Sequence, residues 1–405
     1  MSAPIRPATL AYDAHGTPFS DTYGDVYHSC HGGPGQVAHV FLQGNDLPAR
    51  WRDAARFVIL ETGFGTGLNF LTTAEAWLDT PHRCARLHYL ALEKHPFGVA
   101  DLARLHEAWP HLGVLAADLR AGWPPPLSGS HRIELAAGRI VLTLFLGDAV
   151  DWLPRIQASV DAYYLDGFAP DRNPDLWSGE LCNRLARLAA PGATLATWSV
   201  AGPVRRALAE SGFSLERRPG YAGKREMLCG RYAPPAYREA AAAPPPPTDR
   251  HALVLGAGLA GTACCERLAA RGWRVDLIER HAGPAAEASG NHAGIFHPLL
   301  ARDDSPLARL SRTAFLYALR RWRALAGAGH PFPGAATGLV QLARDARHAA
   351  LQRELPEAMG YPSAYVGFHE VASLAALAHA ELTMPGWLLP EGGWGSPRGL
   401  CQAYL

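Results

Sequence analysis

The chain has 405 residues, of which 48% are hydrophobic and 19% charged, a globular composition that excludes a disordered polypeptide and leaves room for two or three domains. Lys+Arg 38 against Asp+Glu 37 leaves a net charge of +1, which excludes a global basic field, so any phosphate-binding surface has to be a local patch. Such a patch would be built largely of arginine, because Lys94 and Lys224 are the only lysines.

Cysteines 30, 84, 182, 229, 264, 265 and 401 are scattered without a CxxC pair. That argues against a disulfide framework or a structural zinc and for a reducing compartment. The opening MSAPIRPATLAYDAHG has no apolar signal core, and no run approaches the ~18 apolar residues of a membrane span. The expectation is a soluble, cytoplasmic monomer with no membrane contact and no metal.

In chain order, the first fifty-odd residues hold short strand-like runs, DVYHS and VAHVFLQGN, which predict a small β-extension. His28, Cys30, His31 and His39 match no common metal spacing and read as an exposed loop. Buried strands follow at 56–61 (RFVILE), 87–93 (LHYLALE), 140–145 (IVLTLF), 162–165 (AYYL) and 194–197 (TLAT). Helices are predicted between them at 67–78, 98–109, 176–188 and 202–211. Strand and helix in alternation mean a parallel α/β sheet with crossovers. Residues 214–218 and 224–232 read as a terminal hairpin, closing a first domain at 1–233.

Residues 234–250, PPAYREAAAAPPPPTDR, read as a linker, because the proline run at 244–247 favours an extended chain. A second domain, 251–405, starts with a strand at 251–255, a helix at 258–271 and a strand at 274–279. A long helix at 302–326 follows, then a strand-like run at 338–343 and helices near 346–355 and 371–382. Cys264 and Cys265 point in different directions from one helix and read as packing residues.

Two glycine motifs carry the chemistry. In the first, Glu61-Thr-Gly63-Phe-Gly65-Thr-Gly67 ends a strand in an acid and lets the backbone turn beneath a ligand. Glu93 ends the next strand, where it can accept both hydroxyls of a ribose, and Asp148 follows a third. This order resembles the class I S-adenosylmethionine-dependent methyltransferases, which place an acid near the adenine at the third position. The second motif, Gly256-Ala-Gly258-Leu-Ala-Gly261, follows a strand and opens a helix. Glu279 stands 23 residues after Gly256, against the roughly 20 expected between a pyrophosphate loop and a ribose-binding acid. An acid there favours FAD or NAD over NADP, and Ser289 within Ala288–Asn291 resembles the second FAD-contacting segment of the D-amino-acid-oxidase-like flavoproteins.

The fourth strand of the first domain ends in Tyr164-Leu-Asp166-Gly-Phe168-Ala-Pro170. Strand ends of an open parallel sheet are where ligands bind. A carboxylate there suits an amine that arrives protonated: Asp166 can hold the ammonium, help remove a proton and aim the lone pair at a sulfonium methyl. Asp166 could instead only cap the next turn.

The segments LETGFGTGLNFL, YLDGFAPDRNPDLWS, PGATLATWSVAGPVRRALAESGF and KREMLCG, with VLGAGLAGTACCERLAARGWRVDLIER and ASGNHAGIFHPLLARDDSPLARLSRTAF, resemble the bifunctional tRNA-modifying family MnmC over nearly the whole chain. The resemblance implies a class I methyltransferase Rossmann-like domain followed by a partial FAD-binding Rossmann domain of D-amino-acid-oxidase type. It implies that the FAD domain removes the carboxymethyl group from 5-carboxymethylaminomethyl-(2-thio)uridine in the tRNA anticodon loop. The methyltransferase domain would then methylate the exposed amine from S-adenosylmethionine. Carried over residue by residue, Asp166 is catalytic; Glu61, Gly63, Gly65, Gly67, Glu93 and Asp148 hold S-adenosylmethionine; and Gly256, Gly258, Gly261, Glu279 and Ser289 hold FAD.

Arg205-Arg206, Arg217-Arg218 and Lys224-Arg225 are the candidate tRNA patches, with Phe168, Trp177 or Tyr221 as stacking platforms. Segment 251–405 is shorter than a flavoprotein of this type, so weak or absent FAD binding is expected. The alternatives are another amine- or protein-directed methyltransferase with a vestigial flavin module, or a non-catalytic flavin- or tRNA-binding module.

Overall fold

The structure, a computed structural model, describes residues 4–28, 33–233 and 249–405. Cys30, His31 and all but the last two residues of the expected linker lie outside the described residues. The chain divides into two compact units, Ile5–Pro246 and Pro247–Leu405 with Met1–Pro4.

The first unit opens with a small antiparallel sheet of β1 (Ala11–Tyr12), β2 (Pro18–Ser20) and β3 (Asp25–Val26). The strand expected at VAHVFLQGN is helical instead: α1 (Gly33–Val37) runs into a π-turn at Ala38–Leu42 and a 3-10 turn at Gln43–Asn45. Val37, Val40 and Phe41 are all buried, and that i, i+3, i+4 spacing prevails over the β-propensity of valine and phenylalanine.

Eight strands then form one sheet: β4 (Phe57–Glu61), β5 (Leu87–Glu93), β6 (Gly129–Leu135), β7 (Ile140–Leu146), β8 (Val160–Tyr164), β9 (Ala189–Thr197), β10 (Phe213–Pro219) and β11 (Glu226–Tyr232). Their order is β10-β11-β9-β8-β4-β5-β7-β6. The five central strands run parallel, while β6 and the β10–β11 hairpin add antiparallel edges. Helices α2 (Leu68–Asp79), α3 (Val99–His106), α4 (Gly113–Ala121), α5 (Ala149–Trp152), α6 (Gly179–Ala186) and α7 (Gly202–Glu210) make the crossovers.

Both faces of the sheet are buried, which is why its central strands are nearly continuous apolar runs. In β4, Phe57 and Ile59 face a core shared with α2 and α4, whereas Val58 and Leu60 face one shared with α6 and α7. The chain leaves β4 for β5 on one side and places β8 on the other. That divergence opens a crevice beyond the carboxyl ends of β4 and β8, the usual ligand position in such sheets.

In the second unit β12 (His251–Leu255) and β13 (Arg274–Ile278) pair in parallel across α8 (Leu259–Ala269). Two three-stranded antiparallel sheets follow. One joins β14 (Gly294–Phe296), β15 (Gly334–Ala335) and β19 (Gly393–Gly395); the other joins β16 (Leu339–Leu342), β17 (Gly367–His369) and β18 (Gly386–Leu389). Helices α9 (Pro306–Gly327), α10 (Ala346–Ala358), α11 (Val371–Ala378) and α12 (Pro397–Tyr404) complete it. The long helix starts at Pro306, later than its apolar spacing suggests, because Ser305 caps it by accepting from Ala308 N–H and proline takes the first helical position. Among the described residues no helix is long and apolar enough to cross a membrane.

Candidate active site

An open cleft lies over the carboxyl ends of β4, β5, β7 and β8. Its floor is the glycine loop after β4. Gly65 turns at φ +52°, in the left-handed region, and aims its N–H at Glu93 Oε2, 2.7 Å away. The other Glu93 oxygen accepts the His95 N–H at 2.7 Å. A carboxylate offers about four acceptor sites, so Glu93 ties β5 to the loop and keeps capacity for hydroxyl groups. Gly63 must come close to the next loop: a Cβ there would stand 3.1 Å from the Asp166 carbonyl oxygen.

Gly63, Gly65, Glu93 and Asp148 line the cleft. Gly67 does not; it opens α2 with its back to the Phe64 ring. Asp148 caps α5 by accepting from Val150 N–H at 3.0 Å and pairs with Lys94 Nζ at 2.7 Å. Burial would raise its pKa, but Lys94 and the capped N–H together lower it.

Glu61 departs from the sequence expectation. It is fully buried beneath the loop, with Oε1 accepting from Asn69 Nδ2 at 2.6 Å and Oε2 from Tyr89 Oη at 3.1 Å. Burial, reinforced by the nearby charge of Asp166, pushes its pKa well above the usual carboxylate range. Strand periodicity explains the placement: Phe57, Ile59 and Glu61 share the face that packs on α2.

Asp166 emerges on that same face, two residues beyond Tyr164, which pairs with Glu61 in the sheet register. Its Oδ2 accepts from Asn69 Nδ2 at 2.7 Å, and its Oδ1 accepts from Gly167 N at 2.9 Å and Trp198 Nε1 at 3.1 Å. Burial raises its pKa, while these donors and the charge of Lys224 act in the opposite direction. One amide nitrogen therefore joins two carboxyl groups with unlike environments: Glu61 sealed and inclined to stay protonated, Asp166 facing the cleft and solvated by three donors.

Two side chains that the sequence alone left unmarked complete this centre, Asn69 and Trp198. Asn69 stands in the first turn of α2, inside LETGFGTGLNFL, as a buried polar residue beside an acid-tipped strand. Lys224, expected on a surface patch beside Arg225, is exposed as Arg225 is and also lines the cleft, with its Nζ 3.5 Å from the Trp198 ring centroid.

The rim comes from the first sheet. Tyr23 stacks on Phe168 with centroids 4.5 Å apart, Tyr27 meets Phe168 edge-on, and Asp25 accepts the Ala169 N–H at 2.9 Å. Trp177 is no platform: it is buried and donates its Nε1 to Phe168 O at 2.9 Å. Tyr221 borders an adjoining recess with Gln36 and Trp198.

The arginine pairs separate. Arg217 is paired with Glu226 at 3.0 Å, and Arg218 with Glu216 at 3.3 Å and Asp46 at 3.5 Å. Arg206 and Arg225 are exposed and Arg205 is half-buried. Among the described residues no cluster of His, Cys, Asp and Glu is arranged to hold a metal; His39 bonds to Pro219 O and His28 packs edge-on against Trp109.

In the second unit the loop after β12 is drawn tight against α8. A Cβ on Gly261 would stand 1.9 Å from Gly256 O, and one on Gly258 3.0 Å from Ser289 Oγ. Ser289 Oγ accepts the Leu259 N–H at 3.1 Å, and Glu279 accepts from Ala257 N at 2.7 Å and His281 N at 3.0 Å. The residues fit a dinucleotide: a glycine cradle with no side chain in the way, a helix N-terminus behind it and an acid at the next strand end.

A family of S-adenosyl-L-methionine-dependent methyltransferases matches residues 110–233, and a family of FAD dependent oxidoreductases matches residues 251–405. The tRNA 5-methylaminomethyl-2-thiouridine biosynthesis bifunctional protein MnmC of Azoarcus sp. (strain BH72) is 50% identical over 402 residues, covering 99% of this chain and 63% of the relative. The protein of that name from Aromatoleum aromaticum (strain DSM 19018 / LMG 30748 / EbN1) is 51% identical over 413 residues, with 99% and 63% covered. The solved structure of MNMC2 from Aquifex Aeolicus covers 61% of this chain and 75% of its own, at 22% identity and a TM-score of 0.43. The chain thus spans about 63% of the length of these curated relatives.

Proposed function

Since the chain is 50–51% identical to MnmC proteins over nearly its whole length, while spanning about 63% of theirs, we propose that it belongs to that family and modifies the wobble uridine of tRNA. In this reading the first unit methylates the primary amine of 5-aminomethyl-(2-thio)uridine, and the second takes part in removing the carboxymethyl group that masks it. A reaction on tRNA is in keeping with a cytoplasmic protein.

The observation that carries the reading is Asp166, held by Asn69, Gly167 and Trp198 while facing a cleft floored by the glycine loop. S-adenosylmethionine supplies an electrophilic methyl on a sulfonium. Gly63 and Gly65 would leave its approach free of side chains, Glu93 would take the ribose hydroxyls, and Asp148 with Lys94 would border the adenine end. Asp166 receives the acceptor ammonium through charge-assisted hydrogen bonds, relays its proton and orients the lone pair. Tyr23 and Phe168 offer aromatic faces at the mouth for a splayed anticodon base.

In the second unit Gly256, Gly258, Gly261 and Ser289 would take the pyrophosphate of FAD, and Glu279 its ribose. FAD, when bound, supplies a two-electron acceptor for oxidising the carboxymethyl amine.

The test is to incubate the full chain with labelled S-adenosylmethionine and tRNA carrying 5-aminomethyl-2-thiouridine, then identify nucleosides by mass spectrometry. One added methyl on the wobble nucleoside is expected. Label on peptides or small amines, with tRNA left unlabelled, would overturn the reading.

A further inference from the structure

We propose that Lys224 sets the protonation state of the acceptor amine: a fixed cation across the Trp198 indole from Asp166 that drives the amine toward its neutral, nucleophilic form. The inference rests on the methyl-transfer reading of the cleft. Lys224 lies in the turn between β10 and β11, and its Nζ stands 3.5 Å from the Trp198 ring centroid, a cation–π geometry. The Nε1 of the same indole donates to Asp166 Oδ1 at 3.1 Å. One ring thus carries a cation on its face and a carboxylate at its edge, and both open into the same cleft.

The chemistry needs this cation. An alkylamine is protonated near neutral pH, and a carboxylate beside it stabilises the ammonium further. Asp166 alone would trap its substrate in the unreactive form. A neighbouring positive charge acts in the opposite sense, as in other sites that depress an amine's pKa with a second cation. With the cation present, the ammonium gives its proton through Asp166 to water. The nitrogen lone pair then forms the bond to the methyl carbon as the carbon–sulfur bond breaks and its electrons pass to sulfur.

The charged and titratable groups around Lys224 are Asp166 beyond β8, Asp25 on β3, and Glu226 and Tyr221 at the adjoining recess, with Tyr23, Tyr27, His28, Glu93, Lys94, His95, Asp148 and Asp175 on the cleft wall. Lys224 is exposed at the cleft mouth; the surrounding protein lowers its pKa, with Asp166 and Asp25 acting in the opposite direction. Lys224 is a positioning residue in this scheme, acting on the amine through the field.

The experiment measures single-turnover methylation of aminomethyl-uridine tRNA by the full chain from about pH 6.5 to 9.5, with Lys224→Gln, Lys224→Met and Lys224→Arg beside the unaltered protein. The Gln and Met variants are expected to lose about tenfold in rate near pH 7, to shift the rise of the profile up by about one unit, and to approach the unaltered protein at high pH. Lys224→Arg is expected to keep the original profile. A pH-independent loss, a loss confined to KM as a phosphate contact would give, or no loss in either neutral variant would overturn the proposal. An unaltered protein that leaves this tRNA unmethylated would instead overturn the methyl-transfer reading itself.

Discussion

Asn69 donates its side-chain nitrogen to Asp166 at 2.7 Å while the same nitrogen lies 2.6 Å from Glu61. This amide is the link between a sealed acid and one that faces the cleft, and its removal should act on Asp166 without touching the glycine loop. A hydrogen bond to a charged group contributes about 1.5–3 kcal/mol. Asn69→Ala is therefore expected to cost roughly ten- to a hundredfold in kcat and to move the acid limb of the rate profile upward. Asp166→Asn should lose more, about 10²–10⁴-fold, the range of a positioned proton-transfer group. Stopped-turnover rates against pH, with S-adenosylmethionine binding measured separately, check both. An unchanged acid limb in Asn69→Ala would show that the amide does not tune Asp166.

Glu61 carries a cost that pH should reveal. Its folded-state pKa lies well above the ordinary value near 4.5 because the carboxyl is buried. Between those two values the unfolded chain has released the proton and the folded chain retains it, so stability falls as pH rises through that window. In Glu61→Gln the amide can accept from Asn69 and donate to Tyr89, reproducing the protonated acid without its titration. The variant is expected to melt close to the unaltered protein near pH 5 and progressively above it toward pH 8. Melting temperatures at several pH values decide this; a constant offset would mean that Glu61 is ionised in the fold.

The parallel centre of the sheet was readable in the sequence because burial on both faces leaves almost unbroken apolar runs, as in RFVILE and IVLTLF. The edge strand β6 escaped notice for the opposite reason: GSHRIEL alternates, with Arg132 exposed and Ile133 buried. The glycine loop and Asp166 were legible from spacing and strand ends. Asn69, Trp198 and the cleft position of Lys224 were not, because β8 beside β4 and β11 beside β9 bring them together. Nothing local in the chain records that adjacency. Tyr23, Asp25 and Tyr27 reach the rim from a sheet far upstream, so only the folded chain joins them to Phe168. Reading Glu61 as a cofactor contact failed because a strand-terminal acid can face the core as readily as the crevice, and the alternation in β4 sends it inward.

Gly261 sets the close approach of α8 to the loop after β12. A methyl at this position would meet the Gly256 carbonyl oxygen at 1.9 Å, and neither backbone segment can yield cheaply. Gly261→Ala is expected to destabilise the loop by about 1–3 kcal/mol, as overpacking generally does. Hydrogen exchange over residues 251–279 should rise while that over β4 and α2 does not. Unchanged exchange in β12 and α8 would mean that the loop accommodates the methyl.

The arginines differ in what they have left to offer a polyanion. Arg217 and Arg218 face Glu226, Glu216 and Asp46 within 3.0–3.5 Å, so a phosphate would have to displace carboxylates already in place. Arg206 and Arg225 are exposed and Arg205 is half-buried. Each phosphate neutralised by a basic side chain contributes about one to the slope of log affinity against log salt. Arg206→Ala and Arg225→Ala are each expected to flatten that slope by about one and to weaken tRNA binding alike for every tRNA sequence. Arg217→Ala should leave the slope nearly unchanged, because it removes one charge and frees its acid partner at the same place. Filter binding across a salt series gives all three values. A slope that flattens for Arg217→Ala but not for Arg206→Ala or Arg225→Ala would move the RNA path onto the β10–β11 hairpin.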